Sequence, residues 1–388
     1  MIIIIVASTV AYLLLVSFWR EFCHFRRVPT LRSPNHDQGP WPRVSIIIPA
    51  RNEARNIARC LDGALFQHYP WYEVLVVDDN STDATPHILR QYDARYRHLR
   101  VVQGSALPSG WTGKTHACQQ AALLARGEWL VFLDADTVPQ PDLIAALIDH
   151  ARQQHLDLLT IFPFLELQTF WERVILPPFV SLIQATFPFE RLNAPDVRPD
   201  EVIANGQCIL VRYRAYSSIG GHGAVRDDVL EDVRLAQKLR AAGFRTGAVE
   251  GIAYLRARMY TNSREVIEGL TKNAVAGYQS GAGRSIWAGL QQYLLAFAPL
   301  WFLGWAIGVL VAQSNLFSWI VLIEALIVLT VAFSFWGWRL HQRYRLPIAY
   351  GLFWQLGLLC YGSIALRSLW RVRTGRGVHW KGRTYAGT

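Results

Sequence analysis

The chain has 388 residues, of which 52% are hydrophobic and only 18% charged, enough for one enzyme domain of ordinary size beside several apolar spans and too little for many domains. A net charge of +10 would suit nucleic acid, but the basic residues gather beside the apolar runs, where anionic headgroups and the positive-inside bias account for them, so the composition points to a membrane and away from nucleic acid. The five cysteines, Cys23, Cys60, Cys118, Cys208 and Cys360, are scattered without the close pairs that a zinc site or redox dithiol needs.

Residues 1–19 carry no charge and, at about 1.5 Å per residue, reach roughly 28 Å, close to the hydrocarbon thickness of a bilayer. Arg20, Arg26, Arg27 and Arg32 follow this run. That order fits a retained anchor over residues 1–20, with its C-terminal end in the cytoplasm, and not a cleaved signal peptide. After a polar linker containing Pro29 and Pro42, short apolar runs at residues 44–48, 74–77, 99–102 and 129–133 read as buried strands. The stretches between and after them, 53–66, 82–92, 114–126 and 141–153, read as helices. The alternation predicts an α/β domain over residues 43–280, Rossmann-like, with a mainly parallel sheet whose ligand crevice lies at the carboxyl ends of the strands.

Residues 165–189 are apolar but broken by Glu172, Arg173 and prolines. They suit a helix lying in the headgroup region or a core helix bounded by prolines. A polar block, 205–272, gives way to three runs, 286–312, 316–338 and 346–370, each long enough to cross. The C-terminal membrane region is therefore 286–370, followed by a basic tail, 371–388, with Arg371, Arg373, Arg376, Lys381 and Arg383. Three crossings after a cytoplasmic domain would leave that tail outside, against the positive-inside tendency. The run 346–370, with Pro347 and Gln355, is the one that could be re-entrant or interfacial.

The polar motifs fall where the predicted strands end. Asp134-Ala135-Asp136 follows the run 129–133, and two carboxylates so placed can approach a hard divalent cation that takes phosphate oxygens as further ligands and offsets charge on a departing diphosphate. Asp78 and Asp79 follow the run 74–77; they can bind a base N–H or ribose hydroxyl, while Asn80, Ser81 or Thr82 caps the next helix. Pro49, Arg51 and Glu53 form the loop after the first strand. Arg51 could serve phosphate or pair with Asp78, and Glu53 could open a helix. Gly110 to Lys114 is a flexible loop opening a helix, where backbone N–H groups and Lys114 can hold diphosphate. Glu231 and Asp232 stand at another helix start. Dipole complementation alone would explain them, but Asp232 also suits a general base that accepts the proton of an attacking hydroxyl.

Pro-x-Arg-Asn-Glu, Val-Asp-Asp-x-Ser-x-Asp, Asp-Ala-Asp and Glu-Asp, in this order, resemble the motifs of family-2 glycosyltransferases with the GT-A fold over roughly residues 43–272. The resemblance implies a nucleotide-sugar donor held by Asp78 and Asp79 at base and ribose, Asp134 at ribose and metal-diphosphate, Asp136 at the metal (Mg²⁺ or Mn²⁺), and Asp232 as the base of an inverting transfer. More narrowly, Asn205-Gly206-Gln207, Gly220-Gly221-His222, Arg258-Met259-Tyr260, the stretch 268–273 and the ending 380–385 look like bacterial carotenoid glucosyltransferases of the chlorobactene and diaponeurosporenoate kind; hopene-associated glycosyltransferases are similar too. This narrower likeness implies an integral, multi-pass protein of the bacterial cell membrane with a cytoplasmic catalytic domain. It would transfer one glucose from UDP-glucose to a lipid hydroxyl, with Gln207, His222, Glu231 and Arg258 as acceptor or diphosphate contacts. A hopanoid, sphingolipid or polyprenyl phosphate is the alternative acceptor. The Gln-x-x-Arg-Trp motif of processive polysaccharide synthases is absent after Asp232, which argues for single transfer.

Overall fold

The computed structural model describes residues 2–35, 40–279, 282–374, 378–380 and 383–385. The strands in chain order are β1 (Val44–Ala50), β2 (Tyr72–Asp78), β3 (Leu99–Gln103), β4 (Trp129–Leu133), β5 (Thr137–Pro139), β6 (Leu158–Phe162), β7 (Phe164–Leu165), β8 (Cys208–Arg212), β9 (Thr246–Glu250), β10 (Leu255–Ala257), β11 (Val378–Trp380) and β12 (Arg383–Tyr385). The helices are α1 (Ile2–Arg26), α2 (Ile57–Leu65), α3 (Thr85–Asp93), α4 (Gly113–Leu124), α5 (Leu143–Gln153), α6 (Phe170–Thr186), α7 (Phe189–Leu192), α8 (Tyr213–Ser218), α9 (Glu231–Ala241), α10 (Ser263–Gln279), α11 (Ala282–Ala312), α12 (Leu316–Tyr344) and α13 (Trp354–Arg373).

The main sheet has the order β3-β2-β1-β4-β8-β6-β9. β8 alone among these seven runs antiparallel to its neighbours β4 and β6, while the other pairings are parallel. Sequestration of both faces explains why β1 and β4 read as continuous apolar runs and not as alternating ones. One face packs against α2, α3 and α5 through Leu61, Leu89 and Leu147, the other against α4 and α9 through Ala117, Ala121 and Leu235. All four expected strands form, and the sheet is mainly parallel as the alternation predicts. The expected helix at 53–66 is shorter, however, because α2 opens only at Ile57. A second sheet, β5-β10-β7, begins one residue after Asp136 and holds the loop before α10 beside it, with the Arg258 N–H donating to the Asp136 carbonyl at 3.2 Å.

Among the described residues, four helical stretches are long and apolar enough to cross a membrane: Ile2–Arg26, Gly289–Ala312, Leu316–Tyr344 and Ile348–Ser368. Ala7 and Ala11 of α1 meet Ala306 of α11 and Ala325 of α12, small residues that let helices approach closely where lipid supplies no hydrophobic drive between them. The segment 165–189 is chiefly α6, which packs against α10, α11 and α13. Its Glu172, Val174, Ile175, Leu176 and Phe179 are buried, while Phe170 and Trp171 are each 40% exposed. Pro178 has no N–H to give to the Val174 carbonyl, and at that point Gly357 of α13 approaches so closely that any Cβ would overlap Val174 and Pro178.

The main sheet is joined to the apolar helices at its β9 edge. Leu31 donates to the Glu250 carbonyl at 2.8 Å and Glu250 to the Pro29 carbonyl at 2.9 Å, so the linker after α1 pairs with β9. β11 and β12 form a hairpin beside α10. Arg376 and Lys381 of the basic tail and Gly382 of the ending lie outside the described residues, as do the side chains of Lys272, Asn273, Arg373 and Arg383.

Candidate active site

β1 and β2 end in register, Ala50 opposite Asp78. Pro49, Arg51, Glu53 and Asp79 therefore share one wall of a cavity of about 250 Å³. Asp78, 2% exposed, accepts the Ser81 N–H at 3.0 Å and closes the turn behind that wall. Arg51 pairs not with Asp78 but with Asp79: its Nη1 donates to the Asp79 carbonyl at 2.6 Å and stands 3.9 Å from Oδ2. Asn52 and Asn80 are left-handed, with φ of 52° and 54°, a conformation asparagine tolerates. Asn52 Oδ1 accepts from Thr82 N at 2.8 Å, tying the two loops together. The N-cap of α3 is Ala84, which has no polar side chain to cap with; Asp83 accepts the Thr85 N–H at 2.9 Å instead, and none of Asn80, Ser81 and Thr82 is the cap. Glu53 precedes its helix, where Oε2 accepts from Asn56 Nδ2 at 3.0 Å.

Opposite this wall, β4 delivers Asp134 and Asp136 to the same cavity. Thr112 caps α4 by accepting the Thr115 N–H, which sets Lys114 on the first turn with its Nζ 2.7 Å from Asp134 Oδ1 and 2.9 Å from Glu231 Oε1. Burial works against the Lys114 charge, but Asp134, Glu231 and Asp232 outweigh it and hold the ammonium well above its usual range. Lys114 thus sits among carboxylates, a position its local sequence did not indicate. Asp232 Oδ2 accepts the Gly206 N–H at 2.7 Å and Oδ1 the Val233 N–H at 2.8 Å. Burial and the Glu231 charge nevertheless push its pKa up to about 6, against the pull of Lys114 and those two N–H groups. A carboxylate so poised changes protonation near neutral pH, as a general base requires.

The remaining expected contacts divide. Gln207 lines the cavity and is oriented by Asn205, whose Nδ2 donates to its Oε1 at 3.1 Å, while its carbonyl accepts the Asp134 N–H at 3.2 Å. His222 lines neither this cavity nor the next. It lies 3% exposed against Phe132, ring centroids 4.7 Å apart, with Nδ1 2.8 Å from the Tyr216 hydroxyl. Burial drops its pKa to about 4, and it is a packed neutral ring beneath the site. Arg258 is likewise turned away, its Nη2 3.7 Å from Glu172 Oε1 on α6. The adjacent Met259 and Tyr260 take the places on the wall. Only their inclusion in a motif with Arg258 signals them in the sequence.

A second cavity, of about 260 Å³, adjoins the first. Phe162, Leu165, Phe179, Ile183, Ile203 and Tyr361 give it an apolar character. The two cavities share Asn205, Gln207, Leu230, Asp232 and Met259, so the raised carboxylate belongs to both.

A mainly parallel sheet with acidic residues at successive strand ends and a helix-borne Asp facing them is the arrangement that the sequence motifs imply. The family model for glycosyl transferase family 2 matches residues 45–220. The chain carries a family-2 glycosyltransferase domain over that stretch. Asp232 lies beyond the matched stretch. The glycosyltransferase is 26% identical over 353 residues, 88% of each chain, to the 4,4'-diaponeurosporenoate glycosyltransferase of Staphylococcus aureus (strain USA300). It is also 26% identical over 264 residues to the protein of the same name in Staphylococcus haemolyticus (strain JCSC1435), 67% of this chain and 66% of that one. In fold it is similar to the mannosyltransferase PcManGT from Pyrobaculum calidifontis in complex with GDP-Man and Mn²⁺, with a TM-score of 0.55, 20% identity, and coverage of 95% of this chain and 98% of that one. Its fold is GT-A, with apolar helices at both ends of the catalytic domain.

Proposed function

We propose that the glycosyltransferase moves one sugar, glucose from UDP-glucose, to a hydroxyl of a membrane lipid with inversion, and that the acceptor is carotenoid-like. The observation that carries this reading is the shared wall: Asp232 faces a polar cavity suited to a nucleotide sugar and an apolar cavity suited to a hydrocarbon chain. Its likeness to the two staphylococcal carotenoid glycosyltransferases supports the choice of lipid.

In the proposed reaction the acceptor enters by the apolar cavity and its hydroxyl meets the sugar's C1 at Asp232. The new O–C1 bond forms as the C1–phosphate oxygen bond breaks, the hydroxyl proton passes to the Asp232 carboxylate, and UDP leaves with the bonding pair. Gln207, fixed by Asn205, holds the acceptor oxygen at the junction. Asp79, with Arg51 clamping its loop, faces the nucleoside. Asp78, Pro49 and Glu53 shape that wall. Asp134 and Asp136 offer hard carboxylate oxygens on one side of the cavity. Among the described residues no group of three His, Cys, Asp or Glu side chains suits a metal, and this donor set fits a cation that keeps waters and phosphate oxygens instead of a protein cage. Bound there, Mg²⁺ or Mn²⁺ would offset charge on the departing diphosphate. Lys114 sits beside the same oxygens and supplies a fixed positive charge to that side of the cavity.

We place the catalytic domain in the cytoplasm of a bacterial cell, with α1 and the C-terminal helices embedded in its membrane, because Arg20, Arg26 and Arg27 lie at the domain side of α1. Membranes containing the protein are expected to transfer label from UDP-glucose to a lipid extract only with Mg²⁺ or Mn²⁺, releasing UDP and not UMP. Label appearing in pyrophosphate-linked product, or transfer undiminished in both Asp136→Ala and Asp232→Asn, would end this reading.

A further inference from the structure

The apolar cavity has a charged residue in its wall that the proposed chemistry does not use. Arg343, in the last turn of α12, lines it with a side chain only 3% exposed. Its Nε donates to Glu250 Oε1 at 2.7 Å and its Nη2 to the Pro163 carbonyl at 2.9 Å. Its Nη1 is buried and has no hydrogen-bond partner among the described residues. An unmet donor on a buried cation is costly, on the order of 1–3 kcal/mol or more, and structures retain one chiefly where a ligand or water completes it. The geometry is well fixed. Gln184 of α6 donates to the same Glu250 oxygen at 3.1 Å and accepts from Arg339 Nη2 at 3.2 Å, and Arg339 lies 3.9 Å from Glu21.

We propose that Arg343 is a second recognition point of the acceptor cavity, donating to a neutral oxygen, a hydroxyl or carbonyl, that the lipid carries away from the hydroxyl being glycosylated. The proposal rests on the lipid-acceptor reading above and adds to it the class of lipid: an apolar chain oxygenated at two places. Charge decides between a neutral oxygen and an anion. Arg343 is already balanced by Glu250, and Arg339 by Glu21. A carboxylate or phosphate brought into this apolar wall would leave one buried negative charge uncompensated, which is strongly unfavourable. A hydroxyl or carbonyl adds one hydrogen bond and no charge. The spacing between Asp232 and Arg343 along one cavity then makes the enzyme a gauge of the distance between the two oxygens.

The test uses the full chain in lipid nanodiscs with UDP-glucose and linear isoprenoid alcohols of graded length, each with and without a second hydroxyl at its far end. The wild type is expected to favour the diol by about tenfold in kcat/KM at one chain length, through KM, the worth of one charge-assisted hydrogen bond. Arg343→Lys keeps an ammonium against Glu250 but lacks the guanidinium fork, and it is expected to handle diol and mono-alcohol equally at every length. A merely structural Arg343 would change rates without changing that ratio. A wild type with no length-dependent preference overturns the proposal even if the variant is poorly expressed, and so does a Lys variant that keeps the preference. Labelled mono-alcohols without discrimination defeat this proposal alone, whereas no labelled lipid from any alcohol defeats the lipid-acceptor reading with it.

Discussion

The Gly206 N–H donates to Asp232 Oδ2 at 2.7 Å, and a Cβ at position 206 would stand 3.0 Å from that oxygen and 3.0 Å from Lys114 Nζ. Asp232 and Lys114 are thus seated against bare backbone. Gly206→Ala is expected to move both by a few tenths of an ångström and to lower kcat by roughly 10- to 100-fold, since small misplacements of reacting groups are costly. Steady-state kinetics with purified protein would check this, and a larger loss in donor KM than in kcat would contradict it.

The pKa of Asp232, pushed up to about 6 by burial and Glu231, sets a pH profile. As the proposed base it must be ionised, so kcat is expected to rise with pH through about 6. Asp232→Asn is expected to lose roughly 10²- to 10⁴-fold in rate. Stability runs the other way. A carboxyl whose folded pKa lies above its unfolded value of 3.8 favours the folded state fully below that value, and the contribution is lost as pH climbs through about 6. At neutral pH the Asn variant should therefore melt above the wild type, as differential scanning in detergent can read.

His222 offers the opposite sign. Its pKa is lowered by burial from 6.5 to about 4, so its contribution to stability is present above 6.5 and is lost as pH falls toward 4. His222→Phe is expected to flatten that part of the melting curve against pH while leaving donor KM within about twofold, because the ring touches neither cavity. A large rise in donor KM would return His222 to the site.

Asp136 is expected to matter only through the donor. Asp136→Ala should abolish transfer and weaken calorimetric binding of UDP with MnCl₂ by at least about tenfold, one lost ligand being worth a kcal/mol or more. Binding of UDP measured in EDTA should differ little between variant and wild type.

The close approach of Gly357 to Val174 and Pro178 predicts a packing defect of known kind. Gly357→Leu forces α13 away from α6 and is expected to cost about 1–3 kcal/mol, seen as a lower melting temperature. Acceptor KM should rise with it, because α6 and α13 supply Phe179 and Tyr361 to the apolar cavity.

Much of this architecture is legible locally. β1, β2, β3 and β4 announce themselves because strands buried on both faces are apolar runs, and Asp79, Asp134 and Asp136 are found because each follows such a run. β9 is not legible: Thr-Gly-Ala-Val-Glu has no period to read, and it is a strand only because β6 lies beside it. Strands of two or three residues, such as β7 and β10, fall below any pattern. The site divides by the same rule. Lys114 is met as a loop lysine near diphosphate, since nothing at position 114 reveals carboxylates at 134 and 231. Arg258 and His222 carry the right chemistry at motif positions, but Glu172 and Tyr216 claim them through contacts that only the folded chain makes.

Glu250 joins four parts of the molecule at one residue. Its backbone pairs with the linker after α1 at Pro29 and Leu31, and its side chain accepts from Gln184 of α6 and Arg343 of α12. With the sheet edge pinned to helices at both ends of the chain, the catalytic domain has no free swivel against those apolar helices. If the acceptor is a membrane lipid as proposed, Asp232 would be held at a constant height above the bilayer, and the enzyme would sugar the oxygen that floats at its level while chemically equal hydroxyls buried deeper pass untouched.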